Sequence, residues 1–180
     1  MSNYKVTGIK DAAVLTSGAT TDIPFGNTLT IAQEFETIAF EGDGDTEEVY
    51  YNQRLTGTIG GDKWAEAVLE KLYGKTSVTG VSGESKSYYM GEDAELTPAQ
   101  VGLRVDLAAI DDATELAATL RLTVFRAKAR PFSPPDAGNS AKWAPIMFEW
   151  AAEKTSTDIN GVALVGVPTG GAMYRIGVLS

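Results

Sequence analysis

A chain of 180 residues with 43% hydrophobic content is long enough to bury a real core as one domain, and its 19 Gly and 7 Pro mark many turns without low complexity. It contains no Cys and no His, which excludes a disulfide framework, thiolate chemistry, the commonest general base and the usual zinc sites. The formal net charge of −9 argues against gripping a phosphate backbone, which needs a basic surface.

The opening residues Met1 to Gly8 lack a basic stretch followed by an apolar one, so no secretory signal is expected, and no apolar run reaches the ~20 residues of a membrane-spanning helix. The longest run, Val162 to Val167, has the length of a strand. These features predict a protein folded in the cytosol.

Tyr4 to Thr16 reads as an extended strand that ends at Ser17-Gly18, and the Ser/Thr/Gly-rich residues 17–28 read as a loop or extended arm. Leu29 to Phe40 reads as a long strand whose apolar phase switches. Leu29, Ile31 and Phe35 share one phase, while Ile38 and Phe40 take the other, which predicts a bulge or bend or cover on both sides. An acidic turn, Glu41-Gly-Asp-Gly-Asp45, leads back into a strand over 49–59, with Leu55 and Ile59 opposed to Arg54, Thr56 and Thr58. Nine acids and no Lys or Arg fall between Asp11 and Gln53; the remainder of the chain carries 15 of each sign, so this segment holds the whole net charge.

The one well-signalled helix runs from an N-cap at Asp62 to Tyr73, before Gly74 as the C′ residue. Trp64, Val68, Leu69 and Leu72 form its core stripe, with Ala65, and Lys63, Glu66, Glu70 and Lys71 its wet face. Such a helix closes the open end of a sandwich. Residues 75–100 form a long connection around Tyr88-Tyr89-Met90, with a hairpin turning at Gly83-Glu84 and an end at Thr97-Pro98. The second half alternates with period two. Val101, Leu103, Val105 and Leu107 oppose Arg104 and Asp106; Leu116 to Val124 oppose Thr119, Arg121 and Thr123; Ile146, Phe148 and Trp150 oppose Met147 and Glu149; Tyr174, Ile176 and Val178 oppose Arg175. Pro131 to Ser140 is a wide turn. The expectation is one mainly β domain over 1–180, an antiparallel β-sandwich or split barrel with one short α-helix.

The candidates for chemistry are weak. Carboxylates at 41–48 would attract a hard cation, but the stretch lies between strands and lacks the glycine and distal glutamate of a helix-flanked calcium loop. A solvated hairpin tip explains it better. Gly74-Lys75-Thr76 lacks the upstream glycine of a phosphate loop, and no carboxylate pair stands out as a hydrolytic pair. Trp64 and Trp150 track predicted core faces, leaving Trp143 as the one loose candidate for a sugar platform. No enzymatic activity, cofactor or metal is expected.

Glu41-Gly-Asp43, the strand end Thr56-Gly-Thr-Ile-Gly60 and the helix end Leu72-Tyr-Gly74 together resemble the tail tube proteins of long-tailed bacteriophages. Leu120 to Lys128, the Pro-containing turn and Trp143 to Ala152 are similar to that family's closing strands, and the likeness covers most of 29–155. It implies two packed sheets plus a helix, a fold shared with contractile-tail and type VI secretion tubes. It implies a virion tail protein, made and assembled in the bacterial cytoplasm, whose hexameric rings stack into a tube around an inter-subunit β-barrel. Its partners would be its own copies and other tail proteins such as tape measure and tail terminator, with DNA passing through unbound.

The physics is compatible with this. Six subunits giving four strands each close a barrel with a backbone diameter of roughly 50 Å. Inward side chains leave a bore of ~40 Å, wide enough for a DNA duplex. Glu34, Glu36 and Glu149 are the candidate lumen-facing acids, which would repel phosphates. Asp43, Asp45, Glu47 and Glu48 on the acidic turn and Arg121, Arg126, Lys128 and Arg130 on a basic region are candidate inter-subunit charges. The alternative is a monomeric carbohydrate-binding or adhesive β-sandwich.

Overall fold

The computed structural model describes residues 3–23, 26–42, 45–61, 66–73, 76–87, 100–130 and 146–179. Eight strands and one helix follow in chain order: β1 (Tyr4–Thr16), β2 (Ala19–Asp22), β3 (Gly26–Gly42), β4 (Asp45–Gly61), α1 (Glu66–Tyr73), β5 (Gln100–Asp111), β6 (Ala117–Ala129), β7 (Ile146–Ala152) and β8 (Tyr174–Leu179). All pairings between the strands are antiparallel, in the order β2-β1-β5-β6-β7-β4-β3, with β8 joined to β6. The sheet does not close, since its end strands β2 and β3 do not pair. The expected mainly β fold with one short helix is what forms.

β6 is the corner. Along one edge it pairs β8 through residues 119–124 and then β7 through 127–129. Between the two, Phe125 and Arg126 oppose a single residue of β5, so a bulge inserts one extra residue. The bulge resets the inward phase from Leu122 and Val124 to Ala127 and Ala129, all buried. A strand that changes layer in this way bends one sheet into two. The core between the layers is Ala12 and Val14 of β1, Leu55 and Ile59 of β4, Val101, Leu103 and Val105 of β5, and Phe148 and Trp150 of β7. Gly57 makes room for Trp150: a Cβ there would stand 2.5 Å from the indole and would also collide with the Thr30 carbonyl oxygen.

Several expectations need correction. The described residues of the 17–28 stretch pair into strands and do not form a free arm. Gly18 takes the positive φ of a tight turn (76°), β2 pairs back on β1, Ile23 is buried with its N–H donating to Ala12 O, and β3 has begun by Gly26. Short polar residues hid this strand, since none of Ala19 to Asp22 is buried. Leu116 is 67% exposed in the β5–β6 turn and not in a strand. The 162–167 run is loop and turn, with Val165 fully exposed. Ile176 and Val178 of β8 are 61% and 52% exposed, because β8 lies at the rim of its layer, where no described strand covers it.

In the helix, Leu72 is 2% exposed and packs in the core, against the layer that holds β1, β2, β5 and β6. Trp64 and the side chains of Val68 and Leu69 lie outside the described residues, as do 62–65, where the start was expected. A small hairpin does turn at Ser82-Gly83, closed by mutual backbone hydrogen bonds between Val78 and Ser87 (2.8 and 2.9 Å). Lys86 ties it to Glu66 of α1 at 2.6 Å.

Candidate assembly surface

The most distinctive surface is built by β3 and β4. Both strands have 17 residues and pair along their whole length, from Gly26↔Gly61 to Gly42↔Asp45. β7 pairs β4 only from Leu55 to Gly61. Beyond that point the hairpin continues with no third strand among the described residues, for on the order of 20 Å from Glu36 to Gly42 at strand rise. The outer edge of β3 pairs with no other described strand. A bulge falls where the phase switch predicts irregularity, between Glu34↔Arg54 and Glu36↔Tyr51, with the extra residue on β4. The side chains of 38–42 and 45–52, including Asp45, Glu47 and Glu48, and the whole of Asp43, lie outside the described residues.

Register brings the three candidate acids onto one sheet face. Thr30, Thr58 and Glu149 form one row across β3, β4 and β7, and Glu34 and Glu36 follow in the same phase. All three acids are exposed. They do not form a purely acidic wall, because Glu34 stands across the ladder from Arg54 and Arg130 reaches Glu149 at 3.6 Å. The opposite face of the same strands carries Leu55, Ile59, Phe148 and Trp150 into the core, while Ile31 and Phe35 extend that face outward at 41% and 50% exposure.

The four basic candidates are each engaged within the chain. Arg121 donates twice to Asp106, both at 2.7 Å. Arg126 donates to Thr157 Oγ1 at 2.8 Å and pins the 153–173 loop to β6. Lys128 meets Glu153 at 2.9 Å, and Arg130 meets Glu149. Arg121, Lys128 and Arg130 thus each meet a carboxylate of the same chain, while Arg126 meets neutral groups.

Alternation alone missed the ladder on the outer face of β1, β5, β6 and β8. Arg104 contacts Asp11 at 2.8 Å and Asp22 at 3.7 Å, beside the Asp106–Arg121 pair. Asp106 is 7% exposed although it belongs to the polar phase. The Arg121 hydrogen bonds hold its carboxyl below the usual value against the opposing effect of desolvation, and the same bonds raise the Arg121 pKa. Register sets Asp106 directly opposite Arg121 and leaves Arg104 diagonal to Asp11 and one strand removed from Asp22, a pattern that only knowledge of the register would have exposed. Among the described residues no group of three or more metal-ligating side chains forms, and no helix is long and apolar enough to cross a membrane.

No family model matches this sequence, and a search of curated proteins returns no match. Among solved structures, the chain is similar to the cap that terminates the tube of the anti-feeding prophage. The two share 12% sequence identity over 93% of this chain and 88% of that one, with a TM-score of 0.49. A likeness at this level does not by itself assign a function.

Proposed function

We propose that this chain is a structural protein of a bacteriophage-type tail, the major tube subunit, which assembles as stacked hexameric rings around a DNA conduit. The observation that carries this reading is the β3–β4 hairpin, half of which extends beyond β7, with no other described strand on the outer edge of β3. A sheet with such an edge is a template for another chain, and closure between copies removes the liability. The sequence resemblance to tail tube proteins supports the same reading. The expected site in the virion is the tail, with tape measure and tail terminator as neighbouring proteins.

Analytical sedimentation and negative-stain microscopy of concentrated protein test it. Rings or hollow tubes are expected. A compact monomer under every condition overturns the reading and favours a monomeric binding or adhesive module.

Glu34, Glu36 and Glu149 share the face proposed to line the bore. Solvated strand carboxylates contribute within about half a kcal/mol to stability, so changing all three to Lys should leave tubes intact. The reversed lumen would then bind DNA in a salt-dependent way. Tubes that still ignore DNA in a filter-binding assay would place these acids elsewhere.

A further inference from the structure

On the outer face of β1, β5, β6 and β8 the guanidinium groups are matched by carboxylates, Arg104 by Asp11 and Asp22, and Arg121 by Asp106. Arg175 departs from that pattern. It ends the cross-strand row Ala13, Arg104, Thr123, Arg175, yet among the described residues no carboxylate comes within ion-pair distance of it. Instead it lines a groove of about 520 Å³ between the β1–β2 turn and the 158–165 loop.

The remaining polar groups of the groove are biased towards donors. Asn160 uses its Oδ1 to accept from the Gly18 N–H at 2.9 Å, which leaves its amide NH₂ to donate. The acid on the wall, Asp158, turns its Oδ1 to the backbone N–H groups of Asn160 and Val162, at 2.8 and 2.9 Å. Thr20 and Thr123 add hydroxyls. Leu15, Ile159, Leu164 and Val165 make the other lining apolar. Such a site suits an anion carried on an apolar body, and its volume falls in the ~300–1,000 Å³ range of sites that take ligands far larger than a bare ion. β2, which borders the groove through Ala19 and Thr20, is also the end strand of the sheet, with no described strand but β1 paired to it, and an end strand is where an extended chain adds.

We propose that this groove binds an extended, partly apolar peptide through a carboxylate side chain seated on Arg175. The inference does not depend on the tube reading. It is tested on the full-length protein in dilute solution, so failure of either is read separately.

The probes are acetyl-Leu-Glu-Val-amide and its Gln-for-Glu counterpart, followed by amide chemical shifts and titration calorimetry. The Glu peptide should shift the resonances of Ala19, Thr20, Asn160 and Arg175. The Gln peptide should bind about tenfold more weakly, the loss expected for one charge-assisted hydrogen-bonded contact. Arg175→Gln should lose the same factor and Arg175→Lys should recover part of it, while an unchanged amide spectrum elsewhere shows that the fold is intact. Equal binding of the two peptides, an unaffected Arg175→Gln variant, or no shifts in the groove would each overturn the proposal. So would sodium butanoate binding as tightly as the peptide, which would make this a site for free anions.

Discussion

Asp106 stands in the polar phase of β5, yet it is nearly as buried as the core, because Arg121 and its neighbours fold over it. The alternation that reveals Val105 and Leu107 says nothing about what lies opposite Asp106, since only the register pairs it with Arg121. Asp106→Asn should destabilise by about 1–3 kcal/mol, nearer the lower figure because the Arg121 side chain is about a third exposed. The pH dependence has a definite sign. The folded carboxyl titrates below its unfolded value of ~3.9, so its contribution is complete above that pH and is lost as pH falls through the folded value. Urea unfolding should therefore show the full gap between wild type and variant at neutral pH, narrowing below about pH 4. A gap that stays constant through acid would show that the pair contributes through shape and not charge.

At the scale of elements, legibility followed burial. β1 was readable to both ends, and β5 and β7 were readable from their alternating apolar faces, because each sends a continuous row into the core. β2 was not, since its four residues carry no apolar row. The second half of β6 was masked by its bulge: period-two reading fails once the phase resets between Val124 and Ala127. β8 misled in the other direction, with an apolar row that the structure leaves at a rim. The helix was legible through its stripe, of which Leu72 is the described and fully buried member. Leu72→Ala should cost about 2–5 kcal/mol in chemical unfolding. A near-wild-type midpoint would mean that the helix merely rests on the sheet. The surface charges were read correctly as sequence but not as partners, because ion pairs across β6, β7 and the 153–173 loop depend on how distant strands align.

For the whole molecule, the proposed assembly rests on the division between a packed body and a projecting hairpin. Joining Glu36 to Tyr51 through Asn-Gly, a pair suited to a two-residue hairpin turn, removes the distal arm and keeps every ladder pair of the body. That variant should keep its melting temperature within a few degrees and lose self-assembly in sedimentation; normal assemblies would show the arm to be dispensable. The same topology also fixes an order of events in time. β3 and β4 meet across a turn, whereas β1 must find β5 across most of the chain, as in Tyr4↔Asp111. Local pairing is fast and non-local pairing slow. The hairpin therefore forms while the strands that will shelter its base are still unpaired, and on a ribosome it emerges before β5 has been made. Its acid-rich sequence, seven carboxylates against the single Arg54, then acts as mutual repulsion between nascent copies, holding their edges apart until each body has folded.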